Sequence, residues 1–207
     1  EDAAVINSAD QSVSVLTNTG TTLAVSQTVS LADNPKAIIA GDWDNDGETD
    51  LAVSTAADNV EVLLNTGGVF ANSSTAATGG SGLVSIAAGD FDSDGNPDLA
   101  VGNSGSTLVS FLLGNGDGTF TAGTGVPVGA PQERLAAADF NEDGNMDLAV
   151  TTNAATTPGR LLLGDGTGSF APSVFGSTES ASHVVVGDFF EDGVSDVVLV
   201  GASNLQT

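Results

Sequence analysis

Four stretches of the chain set carboxylates at matching positions of a nine-residue loop. The first is Asp42-Trp43-Asp44-Asn45-Asp46-Gly47-Glu48-Thr49-Asp50, and the second is Asp90-Phe91-Asp92-Ser93-Asp94-Gly95-Asn96-Pro97-Asp98. The third is Asp139-Phe140-Asn141-Glu142-Asp143-Gly144-Asn145-Met146-Asp147, and the fourth is Asp188-Phe189-Phe190-Glu191-Asp192-Gly193-Val194-Ser195-Asp196. Side chains at positions 1, 3, 5 and 9 direct hard oxygen ligands into one small volume. The backbone carbonyl at position 7 (Glu48, Asn96, Asn145, Val194) can complete the cage. Position 6 is always Gly, where the chain must turn sharply and a Cβ would obstruct it. Several oxygens on a flexible loop suit Ca²⁺ better than Mg²⁺, which demands tighter octahedral geometry. The chain has no Cys and one His, so zinc and softer metals lack ligands.

An EF-hand shares the Asp-x-Asp-x-Asp-Gly opening but needs a Glu at position 12 and flanking helices. Position 12 here is Val53, Val101, Val150 or Leu199, and the flanks read as strands. An EF-hand is excluded. Solvated Asp-Gly turns would use the same residue types. Four uncompensated carboxylate clusters at one period would, however, repel themselves. Loops one and two are complete, and loop three keeps an uncharged oxygen at Asn141. Loop four has Phe190 at position 3, which cannot ligate. Three Ca²⁺ sites are therefore expected, with a degenerate fourth resting on Asp188, Asp192 and Asp196.

The loops recur every 48 or 49 residues, the mark of a repeat architecture. A small-residue apolar run precedes each one: Ile38–Gly41, Ile86–Gly89, Leu135–Ala138 and Val184–Gly187. Such residues fit a crowded innermost strand. An aromatic at position 2 (Trp43, Phe91, Phe140, Phe189) reads as a packing anchor. A second strand follows the loop, a third alternates, as in Val60-Glu61-Val62-Leu63, and glycine turns such as Gly114–Phe120 and Gly164–Phe170 lead to a fourth. Four antiparallel strands per repeat is the size of a propeller blade. The expected fold is all-β: about four β-propeller-type blades, with half-blades at the two termini. The expected division is one repeat domain: a partial blade over 1–36 without its loop, full repeats over 37–84, 85–133 and 134–182, and the start of a last blade over 183–207.

The 27 acidic residues face only Lys36, Arg134 and Arg160, a net charge of −24. More than half of the acids sit in the four loops. The excess disfavours nucleic acid and anionic membranes as partners, and no apolar run is long enough to span a bilayer. Without Cys there is no disulfide framework, but calcium can serve as the staple instead. Glu1 reads as the start of a mature or excised piece, and the composition as that of a secreted or cell-surface protein.

The residues resemble the FG-GAP/VCBS repeat family, the calcium-binding blades of integrin alpha-subunit propellers, some fungal lectins and many bacterial surface proteins. Gly89–Val101 fits the family core G-D-F-D-x-D-G-x-x-D-L-A-V in full, and Asn115–Phe120 fits its N-G-D-G-T-F turn. The resemblance implies that the loop joins the first two strands of a blade and binds Ca²⁺. It also implies scaffolding for adhesion, recognition or surface assembly.

The expected function is a non-enzymatic, calcium-binding extracellular structural or adhesion module that can self-assemble through its terminal half-blades. The alternative is a carbohydrate-binding, lectin-like propeller. It is disfavoured because the chain has no Tyr and its one Trp occupies the packing position. Expected partners are a second copy of the chain, or a cell-surface protein or glycan. His183 aligns with Ala37, Ser85 and Arg134 at a variable strand entry, so no catalytic group stands out.

Overall fold

The computed structural model describes residues 2–152, 154, 159–174 and 181–201. Among these residues there is no α-helix; every element is a strand, and all pairing is antiparallel. The first sheet has three strands in sequence order: β1 (Ala3–Asn7), β2 (Ser12–Asn18) and β3 (Leu23–Ser30). The second holds β4 (Pro35–Gly41), β5 (Asp50–Thr55), β6 (Asn59–Thr66) and β7 (Val69–Ala77). The third holds β8 (Leu83–Gly89), β9 (Asp98–Asn103) and β10 (Leu108–Gly114), with β11 (Phe120–Ala122) and β12 (Val126–Pro127) both on β10. The fourth holds β13 (Gln132–Ala138), β14 (Asp147–Thr152), β15 (Gly159–Gly164) and β16 (Phe170–Val174). The last pairs β17 (Ala181–Gly187) with β18 (Asp196–Gly201).

The N-terminal sheet thus supplies strands two to four of a blade, and the C-terminal sheet strands one and two. The third sheet departs from the expected single fourth strand. There Gly123 and Gly125 lie between β11 and β12 and interrupt the pairing.

Burial explains the composition. Each second strand (β5, β9, β14) is buried at all six positions because sheets cover both of its faces. Neighbouring sheets share three cores. Val13, Val15 and Val29 of the first sheet meet Leu51, Val53 and Leu63 of the second. Trp43, Ala52 and Val62 meet Leu99, Val101 and Leu112 across the next interface. Phe91, Ala100 and Phe111 then meet Leu148, Val150 and Leu162. Odd and even positions of a second strand therefore serve different interfaces, which is why the post-loop Leu-Ala-Val is apolar throughout.

Candidate metal centre

Each acidic loop joins a first strand to a second: β4 to β5, β8 to β9, β13 to β14, and β17 to β18. Its turn is set by left-handed residues. Gly47, Gly95, Gly144 and Gly193 take φ between 86° and 90° at position 6. Position 4 is left-handed as well, at Asn45 (59°), Ser93 (58°), Glu142 (60°) and Glu191 (57°). For Ser and Glu this conformation is uncommon, so the surrounding bonds must hold it in place.

Those bonds are the same in every loop. The position-1 carboxylate accepts two amides. Asp42 takes those of Asp46 and Gly47 (3.1 and 3.0 Å), and Asp90 those of Asp94 and Gly95 (3.2 and 3.0 Å). Asp139 accepts from Asp143 and Gly144, and Asp188 from Asp192 and Gly193. Position 5 accepts the amide of position 7, as Asp46 does from Glu48 and Asp94 from Asn96, both at 2.8 Å.

Position 9 does more than the sequence indicated. Asp50, Asp98 and Asp147 are fully buried. One oxygen of each accepts the position-2 amide: Trp43 at 2.9 Å, Phe91 at 2.8 Å and Phe140 at 2.9 Å. The other reaches the third strand, accepting from Asn65 (2.7 Å), Gly114 (2.7 Å) and Gly164 (2.8 Å). The carboxylate therefore staples its loop to the blade. Burial pushes its pKa up in all three loops, to about 6 at Asp98, with smaller upward contributions from the neighbouring loop carboxylates and opposition from the two amides.

In loop one, an oxygen from each of Asp42, Asp44 and Asp50 lies within 4.8 Å of the others; Asp90, Asp92 and Asp98 do the same in loop two. Oxygens bound to one Ca²⁺ at 2.3–2.6 Å stand up to about 5 Å apart, so these spacings fit a single ion. Asp46 and Asp94, at position 5, stand outside the clusters. The Glu48 side chain is committed to the amide of Gly67 (2.6 Å), which leaves its backbone carbonyl as the position-7 candidate. In loop three Asn141 replaces the middle carboxylate, and its side-chain amide bonds Asp143 (3.0 Å). In loop four Phe190 points to solvent, 79% exposed, and Asp188, Asp192 and Asp196 bond only loop amides among the described residues. Two of the three basic side chains are occupied elsewhere: Arg134 on the carbonyl of Glu133 and Arg160 on that of Val128. The loops lack an internal counter-charge from them.

The centres also knit the sheets together. Gly118 of the third sheet donates to the carbonyl of Trp43 (2.9 Å), and Gly168 of the fourth donates to that of Phe91 (3.0 Å). Asn45 of loop one bonds Asn96 of loop two (2.8 Å). Trp43 packs edge-on against Phe120 at 5.9 Å, and Phe91 against Phe170 at 5.7 Å.

The loop-and-strand unit recurs with one geometry, and the FG-GAP-like repeat profile matches residues 42–101, 90–150 and 139–199, well over half of the chain. The chain belongs to the FG-GAP-like repeat family. Two solved structures of similar fold are of BBS1N in complex with ARL6DN, one soaked with lead and the other with mercury. The first superposes with a TM-score of 0.68 at 10% identity, covering 97% of this chain and 57% of that one. The second gives 0.67 at 11% identity over the same shares. The likeness is one of fold, and this FG-GAP-like chain spans just over half the length of those structures. No curated protein sequence matches it.

Proposed function

We propose that this FG-GAP-like chain is a non-enzymatic structural or adhesion module whose blades are rigidified by Ca²⁺. The observation that carries the reading is the pair of three-carboxylate clusters, each compact enough for one ion. An ion there would offset the repulsion among acids and tighten a loop that also touches the next sheet through Trp43 or Phe91. Millimolar calcium outside cells suits modest-affinity sites of this kind, which supports a secreted or surface location. No described helix is long and apolar enough to cross a membrane. Self-association through the terminal half-blades belongs to the same reading: among the described residues β1 pairs with β2 alone and β18 with β17 alone.

The carbohydrate-binding alternative loses its one candidate platform: Trp43 is 1% exposed and packed on Phe120. His183 is exposed on β17.

Thermal unfolding in millimolar Ca²⁺ and after chelation tests the proposal. A large drop in unfolding temperature on chelation, restored by Ca²⁺ but not by Mg²⁺, is expected. An unfolding temperature indifferent to calcium would reject the reading.

A further inference from the structure

Loop two is tied to loop one by side chains as well as by packing. Asn45, at position 4 of loop one, donates its Nδ2 to Oδ1 of Asn96, at position 7 of loop two (2.8 Å). Asn96 in turn donates its own Nδ2 to Oδ2 of Asp94 (2.9 Å), and its backbone amide to Oδ1 of the same carboxylate (2.8 Å). The polarity of this relay is fixed by its end. A carboxylate accepts, so Asn96 must turn its side-chain nitrogen to Asp94 and its oxygen to Asn45, which must then donate.

The surroundings keep the relay in place. Asn45 is left-handed, at φ 59°, a conformation that Asn adopts more readily than most residues. Gly116, in the glycine turn of the third sheet, lies against the pair: a Cβ there would overlap Asn96 Oδ1 and come within 2.8 Å of Asn45 Nδ2. Among the described residues the relay is not repeated. In loops two and three Ser93 and Asn145 hold the matching positions, on either side of Gly166, but no hydrogen bond joins their side chains. In loop four the matching residue is Val194, which has no side-chain acceptor.

We propose that Asn45 is a positioning residue for the calcium site of loop two, although it belongs to loop one. Asp94 and the backbone carbonyl of Asn96 are the position-5 and position-7 candidates of that site, and Asp94 stands outside the three-carboxylate cluster. The relay orders both. Tethered at its oxygen and at its nitrogen, the Asn96 side chain keeps one rotamer. Asp94 is then held by two donors, while each of its oxygens retains a lone pair for an ion. Groups ordered before the ion arrives lose less entropy on binding it. Loop two thus draws part of its affinity from the neighbouring blade, and loop three, which meets Ser93 in the matching place, does not. This rests on the calcium reading of the proposed function and names a residue that tunes one of its sites.

Calcium titration of the full chain, followed by the amide resonances of Gly47, Gly95 and Gly144, reads loops one to three separately. Each of these glycines donates to the position-1 carboxylate of its own loop. Asn45→Ser copies the residue that loop two carries at the same position and at nearly the same φ, so the fold should survive it. It should raise the calcium midpoint at Gly95 by about 3- to 10-fold, the worth of one hydrogen bond, and leave those at Gly47 and Gly144 little changed. Asn96→Ala, which keeps the backbone carbonyl, should raise the Gly95 midpoint at least as much. Adding Asn45→Ser to it should change nothing further. A Gly95 midpoint indifferent to Asn45→Ser, a larger shift at Gly47 than at Gly95, or additive effects in the double variant would overturn the positioning role. Glycines of the native chain that do not respond to calcium would defeat the calcium reading as well, whereas uptake at all three loops without the Gly95 shift defeats the positioning role alone.

Discussion

The amide of Gly118 donates to the carbonyl of Trp43 at 2.9 Å, tying the glycine turn of the third sheet to the acidic loop of the second. Gly168 and Phe91 repeat the relationship one blade later, at 3.0 Å. The acidic loop of one blade is thus braced by the turn of the next, so an ion held there would act on the packing between sheets. Gly118 has φ +77°, and a Cβ there would come within 2.8 Å of Leu64 Cδ1. Gly118→Ala should therefore cost about 1–3 kcal/mol through left-handed strain and overpacking. Urea unfolding measures it, and Gly67→Ala, where a Cβ meets nothing within 4 Å, separates the strain from the clash.

The position-2 aromatics should divide sharply. Trp43 lies in the core between the second and third sheets, so Trp43→Ala should cost about 3–5 kcal/mol. Phe189→Ala, on a half-exposed ring, should change the stability of the dilute monomer by no more than about 0.5 kcal/mol. Chemical denaturation of the two variants checks the contrast.

Much of this was legible in the sequence because the repeat imposes one period on everything. The loop at Asp90–Asp98, the apolar Leu99–Val101 run and the strand count of each terminal half-blade could be read directly, since alternation and glycine turns recur at fixed offsets. The clasp from Gly118 to Trp43 could not, because it joins residues 75 positions apart whose types each have a local explanation. Nor could the left-handed position 4. Asn45 suits it, but Ser93, Glu142 and Glu191 give no hint of it. The role of Asp50, Asp98 and Asp147 as staples was hidden behind their reading as candidate ligands, since one carboxylate serves an ion or an amide with the same chemistry. The broken fourth strand of the third sheet follows from Gly123 and Gly125, which are common enough to look like an ordinary link.

The strain at position 4 gives a stabilising prediction. Glu142 is exposed and held at φ 60°, which costs about 1–2 kcal/mol for an ordinary L-residue. Glu142→Asn or Glu142→Gly should recover about 1 kcal/mol without touching a candidate ligand. Equilibrium unfolding with and without calcium would show the gain in both conditions.

The buried position-9 acids predict an unusual pH response. With a folded pKa near 6 at Asp98 against about 3.9 unfolded, the folded state binds more protons between those values. This group's contribution to stability therefore falls as pH rises from about 4 to about 6 and is level above that. Asp50 and Asp147 act in the same direction. The calcium-free chain should gain stability on mild acidification from pH 7 towards pH 5. In saturating calcium the slope should flatten or reverse, because the ion favours the charged carboxylate. Melting temperatures across that range, in both conditions, provide the check.

Calorimetric titration of the native chain with Ca²⁺, repeated on Asp92→Asn and Asp44→Asn, tests the central claim most directly. The account predicts about three ions per chain, with loop four contributing little, and selective weakening of one site in each variant. Either substitution removes a cluster carboxylate that makes few other bonds, so the fold should survive it. A native chain that takes up no calcium at millimolar concentrations, or variants that titrate like the native chain, would contradict it.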